Sequence, residues 1–257
     1  MTMNPPTPPD NHSGFTLVEL IIVMVVLGIL GTMGAEFISR AFEGFHQTDL
    51  RMEIYEEGKA ALVRMEREIH VALPNAIQIT GDGVELGLID EHGMAGVFGQ
   101  YTDLAPLGTN TIRDRTAGLA AGSLLSIHNT AWADFAGGSR IYRVTSAGAN
   151  PMFLASAVTV ISPYQRFYAV RSEAVRFAVD GGNLVRETAQ VTAGAPLGAF
   201  GSAQPLAKNV GQADGRPYFT YDPGTSTRNS VITIHFAINR DTESVTFHKE
   251  VQVRNVP

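Results

Sequence analysis

The apolar and polar positions change rhythm twice along the chain. From Leu20 to Ala35 sixteen residues pass without a charge. As helix that is about 24 Å, short of a bilayer core of about 30 Å. A start at Phe15 gives twenty-one residues and about 31 Å, which takes Glu19 into the span. Beyond Ala35 the apolar residues Phe37, Ile38, Ala41, Phe42, Phe45, Leu50, Ile54, Ala61, Leu62, Met65, Ile69 and Ala72 recur at helical spacings, with charges filling the intervals. This predicts an amphipathic continuation over 36–73, with Pro74 as its stop. A continuous helix from 15 to about 73 would be roughly 90 Å long. Gly44 and Gly58 weaken it locally, each by ~1 kcal/mol against alanine.

After Pro74 the period becomes two. "AIQIT" and "VELGLI" flank "GDG", a hairpin signal. The runs "LLSIHNT", "SRIYRVTSAG", "FYAVRSEAVRFAVDGGNLVRETAQV" and "SVITIHFAINRDTESVTFHKEVQV" follow. Within them "DGG" (180–182) and "NRDTE" (239–243) read as tight antiparallel connections. The Gly-, Ala- and Pro-rich stretches 91–122 and 192–217 read as long loops. The expectation is an α+β protein: a long N-terminal membrane-spanning helix packed on an antiparallel β-sheet domain over 74–257.

Glu19 is the anomaly in the apolar run, because an unpaired carboxylate at or inside the hydrocarbon edge costs a few kcal/mol. Three readings address it. Thr16 with Glu19 three residues on is a capping box, the usual start of a helix. A secretory signal cut near Gly34 wants a basic n-region, and residues 1–13 hold no Lys or Arg. The third takes the junction itself as the signal, with Gly14 followed by Phe15 and Glu19 fifth beyond the glycine.

On these residues "GFTLVELIIVMVVLGILG" resembles the class III signal of type IV pilins and of the pseudopilins of type II secretion. The resemblance implies a pilin-like fold. It also implies cleavage after Gly14 by a prepilin peptidase and N-methylation of Phe15. Glu19 would then partner the terminal amine of a neighbouring subunit during assembly. Residues 1–14 would be a cytoplasmic leader, residues 15–35 a single inner-membrane span, and the β-rich domain periplasmic. The leader "MTMNPPTPPDNHSG" lacks the basic residue common before the glycine, and Glu36 stands near where many major pilins carry a kinking proline. Gly28, Gly31 and Gly34 recur every three residues. They read either as close helix packing in a filament core or as ordinary glycine tolerance of membrane helices. In the second half, "QRFYAVRSEAVRFAVDGGNLVRE", "FTYDPGTSTRNSVITIHFAI" and "VTFHKEVQVRNVP" resemble MshO-type minor pilins of the MSHA pilus biogenesis system. The J-type pseudopilins of type II secretion and PilW-type minor pilins come next. Implied partners are the prepilin peptidase and the other minor and major pilins of the filament.

Composition narrows the chemistry. The net charge of −6 is mild and unclustered, so nucleic acid is not expected as a partner. The chain has no cysteine, which removes disulfides, thiolate nucleophiles and Cys-based zinc sites together. No histidine pair has the i, i+4 zinc spacing, and there is no Gly-x-Ser-x-Gly elbow or phosphate-binding glycine loop. His235 and His248 lie on neighbouring predicted strands and could meet, as surface residues or as a metal pair. Asp82, Glu85, Asp90 and Glu91 surround a hairpin, as a solvated turn or a calcium site. Trp132 and Phe135 read as an aromatic core anchor or an exposed contact. The expectation is a non-enzymatic filament subunit with no catalytic residue, cofactor or metal. The different-class alternative is a membrane-tethered periplasmic binding module or enzyme.

Overall fold

The computed structural model describes residues 14–91, 98–102, 107–113, 119–146, 151–224 and 228–253. Most of the leader, His12, His92 and the closing "RNVP" lie outside the described residues. One helix, α1 (Leu17–His70), opens the chain. The strands that follow are β1 (Ala72–Thr80), β2 (Gly83–Leu88), β3 (Gly99–Gln100), β4 (Thr111–Ile112) and β5 (Leu124–Ser126). A short helix, α2 (Trp132–Ala136), precedes β6 (Ile141–Arg143), β7 (Met152–Phe153), β8 (Arg166–Val170), β9 (Glu173–Asp180) and β10 (Asn183–Gln190). The chain then runs through β11 (Gly201–Ala207), β12 (Val210–Gly211), β13 (Phe219–Asp222), β14 (Val231–Arg240) and β15 (Glu243–Gln252).

Two units are distinct, 1–50 and 51–257. In the first, the large apolar side chains from Phe15 to Phe45 are exposed, Phe15 by 80% and Val26 by 47%. From Leu20 to Ala35 the stretch is free of charge all around the helix, so no single face is kept for a soluble core. The predicted apolar stripe therefore does not cover a core along its whole length. Phe37, Phe42 and Phe45 stay exposed, and burial of the helix begins at Ile54.

In the second unit the helix buries Ile54, Gly58, Ala61, Met65, Glu68 and Ile69, spaced three or four apart. Gly58 is needed for close approach. A Cβ there would fall within 3.0 Å of the Phe247 ring on β15. That ring stacks on Phe236 of β14 at 5.1 Å between centroids. Ion pairs flank the seam. Arg240 of β14 binds Glu53 at 2.8 Å and Glu57 at 2.6 Å, and Lys249 of β15 reaches Glu66 at 3.1 Å. On the other side Arg186 of β10 donates from Nε to both oxygens of Glu68 at 3.0 Å, and Arg64 binds the same carboxylate at 2.9 Å.

A five-stranded antiparallel sheet runs β1-β2-β9-β10-β11, and a second has β14 between β15 and the pair β12, β13. The sets β3-β8-β5-β6 and β4-β7 complete the β structure. The "GDG", "DGG" and "NRDTE" turns join β1–β2, β9–β10 and β14–β15. Gly81, Gly181 and Asp241 take positive φ there, as two-residue hairpins require.

Three expectations change. The helix ends at His70, and Pro74 sits inside β1, an edge strand with a register break between Ala72 and Ile77. An edge bulge accepts a proline that a central strand would not. The stretch 192–217 is not a loop throughout, because it carries β11 and β12. The described part of 91–122 likewise carries β3 and β4.

Candidate functional site

The junction at residues 14–19 is built as a helix start. Thr16 stands just before Leu17, and its Oγ1 accepts the backbone N–H of Glu19 at 3.3 Å. Its carbonyl accepts the N–H of Leu20 at 3.2 Å. This satisfies one of the donors that every helix start leaves open. The reciprocal half of a capping box is not made: among the described residues the Glu19 carboxylate has no hydrogen-bond or ion-pair partner. Gly14 and Phe15 precede the helix and are exposed. The cap therefore accounts for Thr16 and the backbone of Glu19, but not for the carboxylate.

The helix starting there is the one segment among the described residues long and apolar enough to cross a membrane. Gly28, Gly31 and Gly34 lie in it with nothing within 4 Å of the position a Cβ would take. Among the described residues no neighbour requires those glycines.

Residues 9–35 match the prokaryotic N-terminal methylation motif. No curated protein and no solved structure matches the chain. The motif falls on the junction described above, and the architecture is a long N-terminal apolar helix followed by antiparallel sheet. The chain thus carries a type IV pilin-like N-terminal signal on a pilin-like α+β architecture. The motif implies processing by a prepilin peptidase and assembly with other pilins in general. The helix is compatible with a single-pass membrane anchor.

The other candidates resolve differently. His235 and His248 do meet, directly opposite on β14 and β15 with ring centroids 5.5 Å apart. His235 is buried while His248 is exposed. Burial pushes the His235 pKa down, and His248 and Arg216 lower it further. Among the described residues no three His, Asp or Glu side chains converge on a metal-sized site. Glu85 of the acidic hairpin faces Arg176 at 3.9 Å across the sheet, and burial raises its pKa above the ordinary carboxylate value. Phe135 is fully buried, with Trp132 against it at 5.5 Å, so that pair anchors the core. Sequence reading did not single out Glu68, whose burial shows only once Arg186 is brought across to it.

Proposed function

We propose that this chain is a minor subunit of a type IV filament system, of the MshO type in MSHA pilus biogenesis, acting in low copy to start or cap the filament. A prepilin peptidase cuts after Gly14, and Phe15 becomes the methylated N-terminus. Residues 15–35 hold the subunit in the inner membrane with the β-rich domain in the periplasm, until assembly moves the helix from lipid into a filament core. The role is structural, without catalysis or cofactor.

The observation that carries this reading is Glu19. It is a carboxylate on a lipid-length apolar helix, with its backbone capped and its side chain unpartnered. In lipid such a group is tolerable when an ammonium awaits it. Cleavage after Gly14 would create one at Phe15, and a neighbouring subunit would bring it within reach. Gly28, Gly31 and Gly34 would let neighbouring helices approach closely. The second-half resemblance to MshO-type pilins supports the finer assignment.

Complementation of a strain lacking this subunit tests the mechanism. Glu19→Ala should leave a stable membrane protein and abolish assembly. Full complementation by Glu19→Ala would overturn the role given to the carboxylate.

A further inference from the structure

The sheet built on β14 ends at β15, which no other described strand flanks. β15 pairs with β14 over all ten of its residues without a register shift. One hydrogen bond fixes which way its backbone groups point. The Val253 N–H donates to the Ser230 carbonyl at 2.9 Å, one step beyond the Val231–Gln252 pair. In an antiparallel ladder bonded and non-bonded pairs alternate. Glu243, Val245, Phe247, Lys249 and Val251 therefore bond to β14, while Ser244, Thr246, His248, Glu250 and Gln252 turn their N–H and C=O outward. The far side of β14 agrees, since His235 and Asn239 donate to the carbonyls of Tyr218 and Asn209, away from β15. All five outward residues are exposed, and among the described residues their backbone groups have no partner.

The edges of the five-stranded sheet are blunted by their own sequence. β1 carries Pro74 and a register break, and β11 carries Pro205, two register breaks and a left-handed Ser202 with φ of 56°. β15 has no proline and no bulge, and its lysine, Lys249, is turned to Glu66 on α1. A long, unblunted edge is a template for another strand. The side chains beside it limit which strand fits. Toward α1, the Tyr55 ring stacks on Phe247 at 6.4 Å and is itself 49% exposed. The Lys59 ammonium lies 5.7 Å from the Tyr55 ring centroid and has no carboxylate partner among the described residues. On the opposite face Thr246, His248 and Glu250 stand in water.

We propose that the open edge of β15 receives an extended strand of another protein, one that alternates apolar with polar residues and carries an acid to meet Lys59. Main-chain hydrogen bonds to the five outward residues hold it. Its apolar side chains lie toward Tyr55 and its polar ones beside Thr246, His248 and Glu250, as the period of two requires. A second copy's β15 does not fit this description. The acid on its helix side is Glu243, already paired with Arg51. The docking rests on the sheet and the helix beside it, and needs neither processing of the N-terminus nor filament assembly.

The test is hydrogen exchange of the full chain in detergent micelles, read amide by amide by NMR, with a synthetic peptide of β15's length as probe. The peptide alternates valine with threonine, with glutamate for one central valine and lysine for one threonine. Before peptide is added, Thr246, His248 and Glu250 should exchange at least about tenfold faster than Val245, Phe247 and Lys249. The peptide should slow them saturably by about tenfold or more. A peptide of the same composition with its valines and threonines in separate blocks should not. Thr246→Pro removes an outward donor and no bond to β14, so it should weaken peptide binding by about tenfold while the melting temperature holds. Lys59→Glu should weaken binding several-fold, and a peptide with lysine in place of its glutamate should recover it. If Thr246→Pro fails to fold, the Lys59 charge reversal carries the comparison. Slow exchange at the outward amides without peptide, protection that rises with the concentration of the chain alone, no saturable slowing, an equal effect of the block peptide, or unaltered affinity in the folded variants would each overturn the proposal.

Discussion

Gly58→Ala sets helix propensity against packing. In an exposed helix interior the change should stabilise by ~1 kcal/mol. At position 58 the added methyl would meet Cζ, Cε2 and Cε1 of Phe247, all well inside contact distance. Phe247 cannot simply swing away. It is 6% exposed and stacked on Phe236 at 5.1 Å, with Tyr55 also against it at 6.4 Å. Overpacking of a filled core costs about 1–3 kcal/mol. That exceeds the propensity gain over most of its range, so the expected net loss is up to about 2 kcal/mol. For a unit of this size that lowers Tm by up to about 8 °C. Thermal melts of the full chain followed by near-UV circular dichroism would read it. Phe247→Leu in the same background should recover part of the loss, beyond additivity of the single changes. A rise in Tm for Gly58→Ala would show that the helix does not seat against β15 as described.

Glu68→Gln keeps the shape but leaves Arg186, whose side chain is 12% exposed, without its carboxylate. A loss of about 3 kcal/mol is expected, and Glu68→Leu with Arg186→Met should restore most of it. A urea midpoint unchanged in the single variant would refute this. His235 has a folded-state pKa held below its unfolded value of 6.5, with His248, Arg216 and Asp214 as the charged groups around it. Its contribution to stability is therefore full above about pH 6.5 and falls as the pH drops toward the folded pKa. His235→Gln should flatten the Tm profile below about pH 6.5, and identical slopes would contradict this.

What the sequence made legible follows from how local each signal is. Thr16 and Glu19 announced a helix start by spacing, and the structure places the cap there. The turns at Gly81, Gly181 and Asp241 were readable because tight hairpins demand a few residue types. Helix and sheet in order, hence the α+β class, came from a change of period at about residue 74. The end of α1 was misplaced because Pro74 is compatible with an edge bulge as well as with a helix stop. β11 was hidden by its own composition, since "GSAQPLA" has neither alternation nor β-branched residues and survives as an edge strand. The burial of Glu68 was invisible, because it depends on Arg186, brought to it from far along the chain. The Glu19 carboxylate was flagged from the start because its anomaly is local: an acid in a lipid-length run.

The most direct test of the central claim is the intact mass of the chain recovered from membranes, with and without prepilin peptidase. With the peptidase, the account predicts loss of residues 1–14 and one added methyl group on a chain beginning at Phe15; without it, the full precursor. A chain left uncut in both, or one cut near Gly34, would contradict it.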